Sequence, residues 1–147
     1  MAEKTGSSAG LTQEERDAVK QRAKELRAQE KAGKSRAAGL KSVLDAIAAL
    51  EPDDRTLAEG LHSVVTTVAP DLVPKTYYGM PGYANDEGKI VVFIQASKKF
   101  KTRYSTVGFQ DTANLDDGEI WPTAFALTAW TPEVEKKLTA LVKKAVG

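Results

Sequence analysis

Apolar positions recur at helical spacing in three segments of the chain. Leu40, Val43, Leu44, Ile47 and Leu50 fall at relative positions 0, 3, 4, 7 and 10, one face of a helix. Leu57, Leu61, Val64, Val65 and Val68 follow at 0, 4, 7, 8 and 11, and Val134, Leu138, Leu141, Val142 and Ala145 repeat that spacing. "EPDD" (Glu51–Asp54) stops the first helix and opens the second, which Pro70 and Pro74 close. Thr131, followed by Pro132, starts the last helix, because a threonine hydroxyl caps free amides and proline suits the first helical position.

Between the second and third segments the pattern changes to that of strands. "KIVVFIQA" (Lys89–Ala96) is a β-branched apolar run suited to the centre of a sheet, and "RYSTVGFQ" (Arg103–Gln110) alternates. Thr76–Tyr78 and Tyr83–Asn85 read as an earlier strand bent or broken at "GMPG". There Gly79 and Gly82 open backbone conformations closed to other residues, and Pro81 lacks a donor. "DEGK" is hairpin chemistry, and "TAFALTAW" (Thr123–Trp130) holds a short strand. Helices, an antiparallel meander and a closing helix predict an α+β fold, a two-layer sandwich with helices on one face of the sheet.

The N-terminal part differs. Met1–Gly10 is small and polar, the composition of a disordered tail. Thr12 is placed as an N-cap with Glu15 three residues on, and the chain stays helix-permissive to Lys34. Only Leu11, Val19 and Leu26 are large and apolar, so this helix is expected to pack loosely or to wait for a partner. "KAGKSRAAG" (Lys31–Gly39) reads as a linker, which divides the chain into a mobile tail and charged helix over 1–37 and a folded domain over 38–147.

Composition narrows the chemistry. The 147 residues suit one domain with a core of useful size, and the net charge of +1 creates no global field. The absence of cysteine excludes disulfides, thiolate metal sites and thiol nucleophiles. With no apolar leader and no run near the ~20 residues of a membrane span, the expectation is a soluble, cytoplasmic protein without membrane contact.

His62, the one histidine, lies about 140° around its helix from Leu57 at about 100° per residue, and is read as a surface residue. With no G-x-S-x-G and no other histidine to act as base, no catalytic constellation is found and no enzyme is expected. Two acidic groups offer oxygen ligands for a hard cation. Asp111, Asp116, Asp117 and Glu119 read first as turn chemistry, and Glu51, Asp53, Asp54 and Glu59 read first as helix-start residues. "SKKFKTRY" (Ser97–Tyr104) interleaves Lys98, Lys99, Lys101 and Arg103 with aromatics, either a guarded strand edge or an anion-binding turn. Arg16–Arg36 carries eight basic residues against three acids, which suits a solvated face better than nucleic acid. Tyr77, Tyr78, Met80 and Tyr83 around the bend, with Lys98, Arg103 and Trp121, either plug one end of the sandwich or line an aromatic pocket with tyrosine hydroxyls as its polar groups.

"KTYYGMPGYANDEGKIVVFIQASKKFKTRYSTVGFQDTANLDDGEIWPTAFALTAWTPEVEKKL" resembles the YdhG-like family of bacterial domains. The likeness rests on a GMP-aromatic bend, a strand opening with Gly-Lys, a lysine-rich turn and a "WPTAF" segment in that order. It implies a compact fold related to frataxin-like proteins, and a non-enzymatic intracellular role as an iron chaperone passing its cargo to an iron-acceptor protein. Frataxin-like iron binding uses an acidic ridge on a helix, which maps here onto Asp53, Asp54 and Glu59. The alternative is a module binding a small ligand or a protein partner through the aromatic bend.

Overall fold

A computed structural model describes residues 11–31 and 36–147. The tail expected over Met1–Gly10 lies outside them. Five helices and five strands run in the order α1 (Gln13–Lys31), α2 (Arg36–Ala48), α3 (Pro52–Val68), β1 (Val73–Pro74), β2 (Gly82–Ala84), β3 (Ile90–Gln95), α4 (Ser97–Phe100), β4 (Ser105–Phe109), β5 (Ala124–Leu127) and α5 (Pro132–Val146). The sheet is an antiparallel meander in chain order, β1 to β5.

The three apolar periodicities bury much of their stripes, although Leu40 and Leu44 of α2 stay exposed at 37% and 44%. Val43 and Ile47 of α2, Leu57, Leu61, Val64 and Val65 of α3, and Leu138, Val142 and Ala145 of α5 enter one core. The sheet meets them with Tyr83, Val92, Ile94, Val107, Phe109 and Leu127, which the strand register aligns on one face. The α+β two-layer sandwich expected from the sequence is the fold observed. Among the described residues no helix is long and apolar enough to cross a membrane.

Local signals account for the element ends. Thr12 and Glu15 form a reciprocal capping box, with Glu15 N–H donating to Thr12 Oγ1 at 3.0 Å and Thr12 N–H to Glu15 Oε1 at 2.8 Å. Thr131 Oγ1 accepts from Val134 N–H at 3.1 Å, with Pro132 opening α5. The turn after β2 is held by Asn85 Oδ1, which accepts from Glu87 and Lys89 N–H, both at 3.0 Å.

Three elements differ from the sequence expectation. Residues 36–39, expected as linker, form the first turn of α2. Arg36 donates to Pro70 O at 2.6 Å and Leu72 O at 3.0 Å, and Gly39 lets the helix lie on β1, where a Cβ would stand 2.2 Å from Pro74 O. β1 itself appears where Pro70 and Pro74 suggested only a helix end, since a two-residue edge strand tolerates proline. The basic turn after β3 is the single-turn helix α4, whose start is held by Asp54, which accepts from the Ser97 hydroxyl and the Lys98 amide.

Candidate functional site

The "GMPG" bend is a tight hairpin rather than a kinked strand. Tyr77 and Met80 exchange two backbone hydrogen bonds, each 2.8 Å, around Tyr78 (φ 51°) and Gly79 (φ 78°). Two consecutive positive φ values are those of a type I′ turn, the two-residue loop that matches strand twist. Glycine takes this conformation freely, whereas a tyrosine there is strained by about 1–2 kcal/mol. The turn leaves the Tyr78 and Gly79 N–H groups outside the ladder, and successive amides of this kind form a concavity suited to an anion.

That concavity holds a carboxylate from α1. Glu25, only 7% exposed, accepts from Gly79 N–H through Oε2 at 2.6 Å. Lys99 of α4 donates its ammonium to Gly79 O at 3.0 Å, holding the other side of the same residue. The Arg22 guanidinium lies 5.5 Å from the Tyr77 ring centre and 5.9 Å from that of Tyr78, within cation–π range. Tyr77 stands edge-on to Tyr78 and packs on Phe93, on the sheet face opposite Val92 and Ile94. At the other end of α1, Glu14 pairs with Lys101 at 2.7 Å in an exposed contact of little energetic weight.

The docking of α1 is therefore polar. Val19 and Leu26, two of its few large apolar residues, are about half exposed at 51% and 45%. Among the described residues Glu25 Oε1 and Arg22 Nη1, 3.8 Å apart, are shielded from solvent and have no hydrogen-bond partner. Desolvation raises the Glu25 pKa, and the Gly79 N–H, the Thr76 side chain, the Arg22 charge and the Tyr78 N–H oppose that rise. Burial likewise lowers the Lys99 pKa, with the Glu25 charge acting against it.

A pH dependence follows. A carboxyl whose pKa is raised on docking binds its proton more tightly docked than free. Its contribution is complete below the ordinary carboxylate pKa and declines as pH rises through the shifted value. The Glu25 carboxyl carbon, followed by NMR, is expected to titrate above the ordinary glutamate range. The Gly79 amide shift should track it, and Glu25→Gln should abolish that response.

The remaining candidate residues occupy separate surroundings. Tyr83 is fully buried on the helix-facing side of the sheet, and its hydroxyl lies 2.8 Å from His62 Nδ1. Met80 is buried in the hairpin, Trp121 packs against the edge of the core, and Arg103 lies 5.0 Å from the Tyr104 ring centre. Lys98 pairs with Asp53 at 3.4 Å. Of the aromatic set, the structure brings together Tyr77 and Tyr78, joined by Phe93, Arg22, Glu25 and Lys99. The acids do not converge either. Asp53 and Glu59 are exposed, and Asp54 is buried beneath α4, accepting from Ser97 Oγ at 3.2 Å and Lys98 N–H at 3.0 Å. Among the described residues no group of three or more His, Asp or Glu side chains is placed to hold a metal ion.

Arg22, Glu25 and Phe93 were not singled out from the sequence, and His62 was misplaced. Glu25 carried no signal beyond its place on the helix face shared with Glu14 and Ala18, because its partner lies 54 residues away. His62, expected on the surface, is half-buried against Tyr83, and desolvation lowers its pKa. Its angle of about 140° from Leu57 reaches the flank of α3 that α2 and β2 shelter. Comparison with known proteins supplies no relative: no family model, curated protein or solved structure matches the chain.

Proposed function

We propose that the protein is a non-enzymatic binding module of the YdhG-like kind, cytosolic, that recognises a partner's carboxylate at the Tyr78–Gly79 turn. One observation carries this reading: the turn already binds a carboxylate, that of Glu25, presented on a helix. A strained tyrosine, two outward amides, an adjacent ammonium and aromatic faces that accept a guanidinium suit an acidic helical segment with an arginine one turn before the acid. Iron carriage through Asp53, Asp54 and Glu59 is the less favoured reading, because Asp54 is committed to α4 and the other two side chains lie apart on the surface.

The test uses the full chain with Arg22→Ala and Glu25→Ala, which empties the turn, and a synthetic peptide of residues 13–31 added in trans. Saturable movement of the Gly79 amide resonance is expected with the parent peptide, and none with a peptide in which Glu25 is alanine. Equal movement with both peptides, or none with either, overturns the proposal.

A further inference from the structure

A second site lies away from the bend, between α2 and α3. A groove of about 320 Å³ is lined by Leu44, Ile47 and Ala48 from α2 and by Arg55, Glu59 and His62 from α3. One wall is apolar, with Leu44 left 44% exposed, and the other carries the polar groups. An apolar concavity with a few converging polar side chains is the usual form of a small-molecule site.

The polar wall is ordered from behind. Among the described residues the buried Tyr83 hydroxyl has His62 Nδ1 as its hydrogen-bond partner, at 2.8 Å. If Nδ1 carried the proton, the Tyr83 O–H would be buried without an acceptor, which costs about 1–3 kcal/mol. The phenol therefore donates to Nδ1, and the neutral imidazole carries its proton on Nε2 as a donor fixed in orientation. Arg55 is similarly held, with Nη2 donating to Leu50 O at 2.9 Å, while its Nε is shielded from solvent and has no partner among the described residues. Arg55 and His62 face the apolar wall as donors, with the Glu59 carboxylate lining the same side of the groove. Glu59, exposed one turn along from Arg55, sets a negative charge beside the groove and disfavours a head group bearing more than one.

We infer that the α2–α3 groove binds a small monoanionic carboxylic acid, its head group on Arg55 and His62 and its apolar body on Leu44, Ile47 and Ala48. The site is independent of the turn that holds Glu25. A carboxylate accepts charge-assisted hydrogen bonds from both donors, whereas an ammonium head is repelled by Arg55 and has Glu59 as its counter-charge without either donor, and an alcohol gains neither charge term.

The test is an NMR titration of the full chain with hexanoate, with hexan-1-ol and hexylammonium in parallel, following the His62 ring and the methyls of Leu44 and Ile47. Hexanoate is expected to give saturable shifts at all three residues, with affinity about ten-fold above hexan-1-ol, the scale of one charge-assisted contact. Arg55→Gln should remove that advantage. Because Arg55 also ties down the end of α2, Leu44→Glu provides a second variant at an exposed position. It places a like charge opposite the head group and should abolish hexanoate binding with the melting temperature unchanged. Equal affinity for hexanoate and hexan-1-ol, stronger binding of hexylammonium, shifts confined to other residues, or undiminished binding in Leu44→Glu each overturns the inference.

Discussion

Replacing Tyr83 by alanine is expected to destabilise the protein by about 3–5 kcal/mol, the range for removing a large buried aromatic side chain. The ring is fully buried, sits opposite Val92 on the helix-facing side of the sheet, and packs beneath His62 at 5.8 Å between ring centres. Tyr83→Phe keeps the ring and removes the hydroxyl, leaving His62 Nδ1 without its partner. Its cost should be about 1–2 kcal/mol, one buried hydrogen bond. Urea denaturation separates the two contributions, with midpoints falling in the order parent, Phe, Ala and slopes unchanged. A phenylalanine variant as unstable as the alanine one would place the energy in the hydroxyl rather than the ring.

The second large effect is expected at Asp54. Its carboxylate, 4% exposed, accepts from the Ser97 hydroxyl and the Lys98 amide, so it joins the start of α3 to α4. Hydrogen bonds to a charged acceptor contribute more than neutral ones, and Asp54→Ala strands both donors in partly buried positions. A loss of about 2–3 kcal/mol is expected, read as a fall in melting temperature. Asp53→Ala, one residue away but exposed and paired with Lys98, should stay within about 0.5 kcal/mol of the parent. The contrast separates a structural carboxylate from a metal ligand. A ligand role predicts that both substitutions weaken iron(II) binding, whereas the structural role confines the damage of Asp54→Ala to stability.

Much of the fold was legible from residue spacing. The stripes of α2, α3 and α5, the capping residues Thr12 and Thr131, and the meander of β2 to β5 all followed from local pattern, because each element announces which face it buries. The start of α2 was not legible, since Arg36 and Gly39 have the composition of a linker. What makes them helical is distant: carbonyls at Pro70 and Leu72 for the guanidinium, and a close approach to Pro74 that only glycine permits. The candidate sites were half legible. "TYYGMPGY" signalled a special turn, but nothing local says that Tyr78 adopts a left-handed conformation or that a glutamate 54 residues earlier fills the turn. His62 gave an angle on a helical wheel, and a wheel shows neither the depth of the neighbouring helix nor the tyrosine beneath it.

The meander has a consequence for synthesis. Each strand pairs with its neighbour in sequence, so the sheet assembles through short loop closures as the chain emerges from the ribosome. The helix layer lacks that property. Leu138, Val142 and Ala145 of α5 complete the core beside α3, and Asn114 is tied to Ala145 O at 2.9 Å only once α5 has arrived. A nascent chain therefore carries a paired sheet whose apolar face, covered in part by α2 and α3, stays open on the α5 side until α5 has left the exit tunnel. Exposure to chaperones and to other nascent chains is concentrated in that interval.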